Sequence, residues 1–114
     1  MAVKQDLQHV VSDAPRVMVV DGSKLVRKLI GDTLLRELPN AEVIGCGGLG
    51  EARAVLAEGS VDLVTTALVL PDGDGLALAR MVRETAGQAY VPVIVVSGNA
   101  QEALETRAFT EDIT

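Results

Sequence analysis

Two kinds of hydrophobic pattern alternate along this chain. Val17-Met18-Val19-Val20 is an unbroken apolar run that stops at Asp21-Gly22, as a parallel strand buried on both faces should. Behind it, Val26, Leu29, Ile30, Thr33, Leu34 and Leu38 recur at helical spacing. Ser23 is placed to cap that helix and Pro39 lies just past its end. Lys24, Arg27, Lys28, Asp32 and Arg36 fall mostly on the other face, where solvation is expected. Residues 42–46 predict a second strand, Gly47-Gly48-Leu49-Gly50 a turn, and residues 51–58 a short helix. Residues 61–67 read as a third strand and residues 68–74 as the loop after it. Asp74 should cap a third helix bearing Leu76, Leu78, Ala79, Met81 and Val82. Residues 91–96 form a fourth strand, with Pro92 tolerable at its start, and residues 101–109 a fourth helix.

Strands alternating with helices imply right-handed crossovers and an α/β, doubly wound parallel sheet. Residues 1–15 have no sustained period and read as an N-terminal tail; His9 lies there alone, without metal-ligand spacing. A chain of 114 residues holds one domain. Its net charge of −6 argues against direct binding of nucleic acid, and Tyr90 and Phe109 are too few aromatics for base stacking. Cys46 is alone, so no internal disulfide is possible; a small buried hydrophobe in a cytoplasmic protein is expected. No apolar run suits a signal peptide or a membrane span.

In a sheet of this kind, ligands gather where the strands end. Three strand ends matter: Asp21-Gly22, Thr66-Ala67 and Ser97-Gly98. Residues 19–23 (Val-Val-Asp-Gly-Ser), 62–75 (centred on Pro71 and Asp74-Gly75) and 92–98 (Pro-Val-Ile-Val-Val-Ser-Gly) resemble the signature segments of bacterial response-regulator receiver domains. The resemblance covers residue 16 to the end and implies a flavodoxin-like sheet of order 2-1-3-4, with the fifth strand and helix absent from the chain.

Receivers accept a phosphoryl group from a histidine kinase on an aspartate at the end of the third strand. Mg²⁺, held by an acidic pair after strand one and by that aspartate, neutralises the phosphoryl oxygens. A hydroxyl residue after strand four and a lysine after strand five bind those oxygens. Carried over to this chain, Asp21 matches the first acid and Gly22 replaces the second. Ala67 occupies the phospho-acceptor position, Ser97 matches the switch hydroxyl, and the lysine position would fall beyond Thr114. The resemblance therefore implies a phosphorylation-independent pseudo-receiver. No enzymatic activity, metal or cofactor is expected, and the partner would be a protein or a fused output or kinase domain.

Other readings fit less well. Asp72-Gly73-Asp74 lacks the further ligands of a calcium loop and reads as a turn and helix cap. Asp21-Gly22-Ser23 resembles haloacid dehalogenase phosphatases, yet Val19 stands where their nucleophile would be. A flavodoxin-like binder of a small ligand, and a phospho-acceptor receiver inactivated at Ala67, remain as alternatives. With no fifth strand, the fourth strand and the first helix should leave apolar surface exposed, which predicts self-association, most simply as a homodimer.

Overall fold

The computed structural model describes residues 14–96. Residues 1–13 of the expected tail, with His9, the strand-end residue Ser97 and the helix over residues 101–109 lie outside the described residues. Pro15, expected in the tail, is buried and its carbonyl accepts from Glu42 N at 2.8 Å, because it leads straight into the first strand.

Four strands build one parallel sheet: β1 (Arg16–Val20), β2 (Glu42–Cys46), β3 (Leu63–Thr66) and β6 (Val93–Val95), in the order β2-β1-β3-β6. This is the expected order, with β6 as the fourth of the strands expected from the sequence. β1 runs between two neighbours and is the most apolar stretch. Val17, Met18, Val19 and Val20 are each at most 1% exposed, and burying such a side chain stabilises by about 1.5–3 kcal/mol.

Side chains alternate across the strands and sort into two faces. Met18, Val20, Val64 and Val93 form one core with Ala52 and Leu56 of α2 (Leu49–Glu58) and Leu78, Ala79 and Val82 of α3 (Gly75–Glu84). The opposite face carries Val17 and its partner Val43, over which α1 (Lys24–Glu37) crosses. Gly31 is the buried residue of α1, and a Cβ there would stand 3.4 Å from Val43 Cγ1. Gln88 is polar and buried, and it ties the start of the third strand region in place: its Oε1 accepts from Val61 N at 3.0 Å.

Several elements differ from expectation. α2 begins at Leu49 rather than residue 51, so Gly50 is helical. The third and fourth strands are shorter than predicted. The loop over residues 68–74 contains a two-residue antiparallel ladder, β4 (Val69–Leu70) with β5 (Gly73–Asp74), which folds it back on itself. Periodicity puts Leu29 on the buried face of α1, yet it is 56% exposed, because only one side of this helix meets the sheet. Arg27 is not on the solvated face. Its guanidinium is part-buried and donates to Asp21 O at 2.7 Å.

Thr65 and Thr66 are adjacent and buried, and their hydroxyls have opposite fates. Thr66 Oγ1 donates to Ala67 O at 2.9 Å, whereas Thr65 Oγ1 finds no partner among the described residues. A buried hydroxyl without a partner costs roughly 1–3 kcal/mol. Thr65→Val should therefore raise stability by about 1 kcal/mol and Thr66→Val should lower it by about as much. Denaturant melts of the two variants check this by the sign of the change.

Candidate functional site

The carboxyl ends of β1 and β3 lie side by side because Ala67 N donates to Val20 O at 2.9 Å. This brings Asp21, Gly22 and Ala67 to one crevice, with Pro71 delivered by the folded loop. Asp74 Oδ1 accepts from Ala77 N at 2.7 Å and caps α3, as expected. Gly75 follows, its N–H donating to Leu68 O at 2.8 Å. A Cβ on Gly75 would lie 2.6 Å from Ala67 O, so the loop can close on the strand end only with glycine here. Ala67 is half-buried and packs against the core cluster.

Asp21 is committed to its own chain. Its Oδ1 accepts from Ser23 N at 2.8 Å, its N–H donates to Cys46 O at 3.0 Å, and its carbonyl holds Arg27. Ser23 Oγ in turn accepts from Val26 N and caps α1. At Gly22, a Cβ would stand 3.1 Å from Pro71 Cγ and 3.2 Å from Cδ. A side chain at position 22 would meet the Pro71 ring closely, and the ring would have to give by a few tenths of an ångström.

A divalent cation requires several oxygen ligands and negative charge to match. The crevice offers one carboxylate, already bonded to the backbone, and a guanidinium 2.7 Å from the adjoining carbonyl. Among the described residues, no group of three acidic, His or Cys side chains converges anywhere. The donor set among the described residues does not fit Mg²⁺.

Two residues at this edge are not visible as such in the sequence pattern. Arg27 is one. The other is Asp72, which the pattern assigns to a turn and which reaches across to α2: Leu49 N donates to its Oδ1 at 2.8 Å and Gly50 N to its Oδ2 at 3.1 Å. Gly48, the cap residue of α2, has no side chain to offer, and a Cβ there would stand 2.5 Å from Asp72 Oδ1. The glycine cluster thus makes room for a carboxylate at a helix N-terminus, where backbone N–H groups otherwise lack partners. A helix opening on glycine is the available signal that its cap comes from elsewhere.

Two side chains near this edge titrate away from their ordinary values. The Leu49 and Gly50 N–H groups hold the Asp72 carboxyl below its ordinary 3.8. A carboxyl depressed by folding adds stability above its ordinary pKa and loses it as pH falls through the folded value. Asp72→Asn should therefore melt at lower temperature than the parent at pH 7, with the gap closing below pH 3.8. A constant gap across a pH series of thermal melts would contradict the assignment. Burial, reinforced by Glu51 and opposed by Arg27, pushes the Cys46 thiol up to about 11. Native Cys46 should resist a disulfide reagent at about pH 8 until denaturant unfolds the chain. Time-resolved labelling reads this directly.

Known proteins resemble this chain in sequence and in fold. Residues 17–114 match the model of the response regulator receiver domain. Two protein-glutamate methylesterase/protein-glutamine glutaminases are similar: one from Nocardioides sp., 39% identical over 83 residues, and one from Anaeromyxobacter dehalogenans, 36% identical over 97. They are matched over 72% and 83% of this chain but only 22% and 27% of their own length. The chain thus spans about a quarter of these relatives. A signal receiver domain of an HD domain-containing protein from Pseudomonas fluorescens superposes with a TM-score of 0.73 at 24% identity, over 90% of this chain and 72% of that one. The parallel sheet of order β2-β1-β3-β6, with its strand-end crevice, is the receiver architecture, and this chain belongs to the response regulator receiver domain family.

Proposed function

We propose that this domain is a phosphorylation-independent pseudo-receiver, a protein-interaction module in two-component-type signalling rather than an acceptor of phosphoryl groups. One observation carries the reading: a methyl group, that of Ala67, stands at the strand end beside Asp21, where a receiver needs a carboxylate nucleophile. Three features support natural divergence over a single inactivating change. Gly22 lacks the second acid, Pro71 has closed on the space above it, and Arg27 brings positive charge to the rim. The domain acts in the cytoplasm and serves a separate or fused protein partner, such as the effector portion its methylesterase relatives carry beyond the matched quarter.

Incubation with Mg²⁺ and acetyl phosphate should add no acid-labile phosphate, as read by intact-mass spectrometry. A phosphate adduct on the native domain contradicts the reading. Replacing Gly22 and Ala67 together by Asp tests the inactivated-receiver alternative. Prompt Mg²⁺-dependent phosphorylation of that double variant would favour it; continued inertness favours divergence.

The α1 side of the sheet is the interaction face in this reading. Leu25 and Leu29 of α1 are 66% and 56% exposed, and Ile94 and Val96 of the β6 segment are also exposed. Apolar surface of this kind favours association, most simply with a second copy. Sedimentation at micromolar concentration should show a dimer, and Leu25→Glu with Leu29→Glu should return a monomer. A parent chain that sediments as a monomer sinks the dimer.

A further inference from the structure

The described part of the chain holds six arginines, and four of them are engaged. Arg16 bonds Ser60 O and pairs with Glu42; Arg27 bonds Asp21 O; Arg36 bonds Thr33; Arg83 bonds Val91 O. Arg53 and Arg80 make no hydrogen bond or ion pair among the described residues, and these two line the same groove. It lies between α2 and α3, encloses about 430 Å³, and has Leu49, Ala77 and Met81 as its apolar lining. Glu84 also lines the groove but pairs with neither arginine.

The core does not force these two arginines together. Ala52 and Leu56 of α2 and Leu78, Ala79 and Val82 of α3 do the packing, while Arg53 and Arg80 are exposed. On a chain of net charge −6, two uncommitted guanidinium groups on one groove of mixed lining, with Leu49 and Met81 beside them and Glu84 and Thr85 at the same groove, stand out from their surroundings. Guanidinium forks match carboxylates in geometry as well as charge, and a flanking apolar strip adds hydrophobic contact. We infer that the α2–α3 groove docks an acidic segment of a partner protein, its carboxylates on Arg53 and Arg80 and an apolar side chain between them on Leu49 and Met81. This deepens the interaction-module reading but is measured apart from it. Docking here and phosphoryl uptake at Ala67 can each fail alone.

The probe is a fluorescein-labelled peptide of sequence Glu-Leu-Glu-Glu-Leu-Glu, titrated with the whole chain and followed by anisotropy and backbone amide shifts. Saturable binding is expected, weakening severalfold as salt rises from about 50 to about 300 mM because exposed charges are screened. Shifts should concentrate on Leu49, Arg53, Ala77, Arg80 and Met81. Arg53→Glu with Arg80→Glu should weaken binding at least tenfold, and Arg53→Gln with Arg80→Gln by a smaller factor, without lowering the thermal midpoint. No saturable binding, equal binding of the Lys-Leu-Lys-Lys-Leu-Lys peptide, shifts confined to the α1 face, or unchanged affinity in both variants would each overturn the proposal.

Discussion

Everything at the strand-end crevice depends on β1 being closed in from every side. Its edges are paired to β2 and β3, and its two faces are covered by α1 and by the α2–α3 layer. A strand in that position has no freedom to slide, because a one-residue slip would turn its side chains to the wrong faces. Its end is therefore a fixed point. Asp21, the first residue past the strand, inherits that position, and Ala67 is held beside it by the bond to Val20 O.

Given this fixed point, the crevice is closed by the chain's own groups. Asp21 turns its carboxylate to the backbone of Ser23, Arg27 approaches its carbonyl, and Pro71 packs over Gly22. Asp72 and Asp74, which could otherwise have enlarged an acidic cluster, are committed to the N-termini of α2 and α3. Each acid at this edge thus serves a structural bond. The Arg53 and Arg80 groove lies outside that network, since its arginines satisfy nothing within the described chain.

The fold was largely legible in the sequence because strongly buried strands leave an unmistakable apolar run, and β1 is the clearest of them. The family was legible because Asp21, Pro71 and Asp74-Gly75 keep their order and spacing around the end of β3. What stayed hidden depends on residues far apart in the chain. Asp72 caps a helix that begins 23 positions earlier, as its bond from Leu49 shows. Arg27 sits at a helical position that periodicity assigns to solvent, yet its long side chain reaches the end of β1. Leu29 satisfies the periodicity and still lies exposed, because periodicity locates an apolar stripe but not what covers it.

The proposal that Ala67 leaves the strand-end crevice inert to phosphoryl chemistry can be tested at the crevice itself. The most direct measurement is a backbone amide NMR spectrum recorded before and after adding Mg²⁺ and beryllofluoride, whose complex mimics a phosphoryl group on a carboxylate. If the proposal holds, the resonances of Asp21, Ala67, Leu68 and Gly75 stay in place. A second set of peaks for those residues, growing with added beryllofluoride, would contradict it.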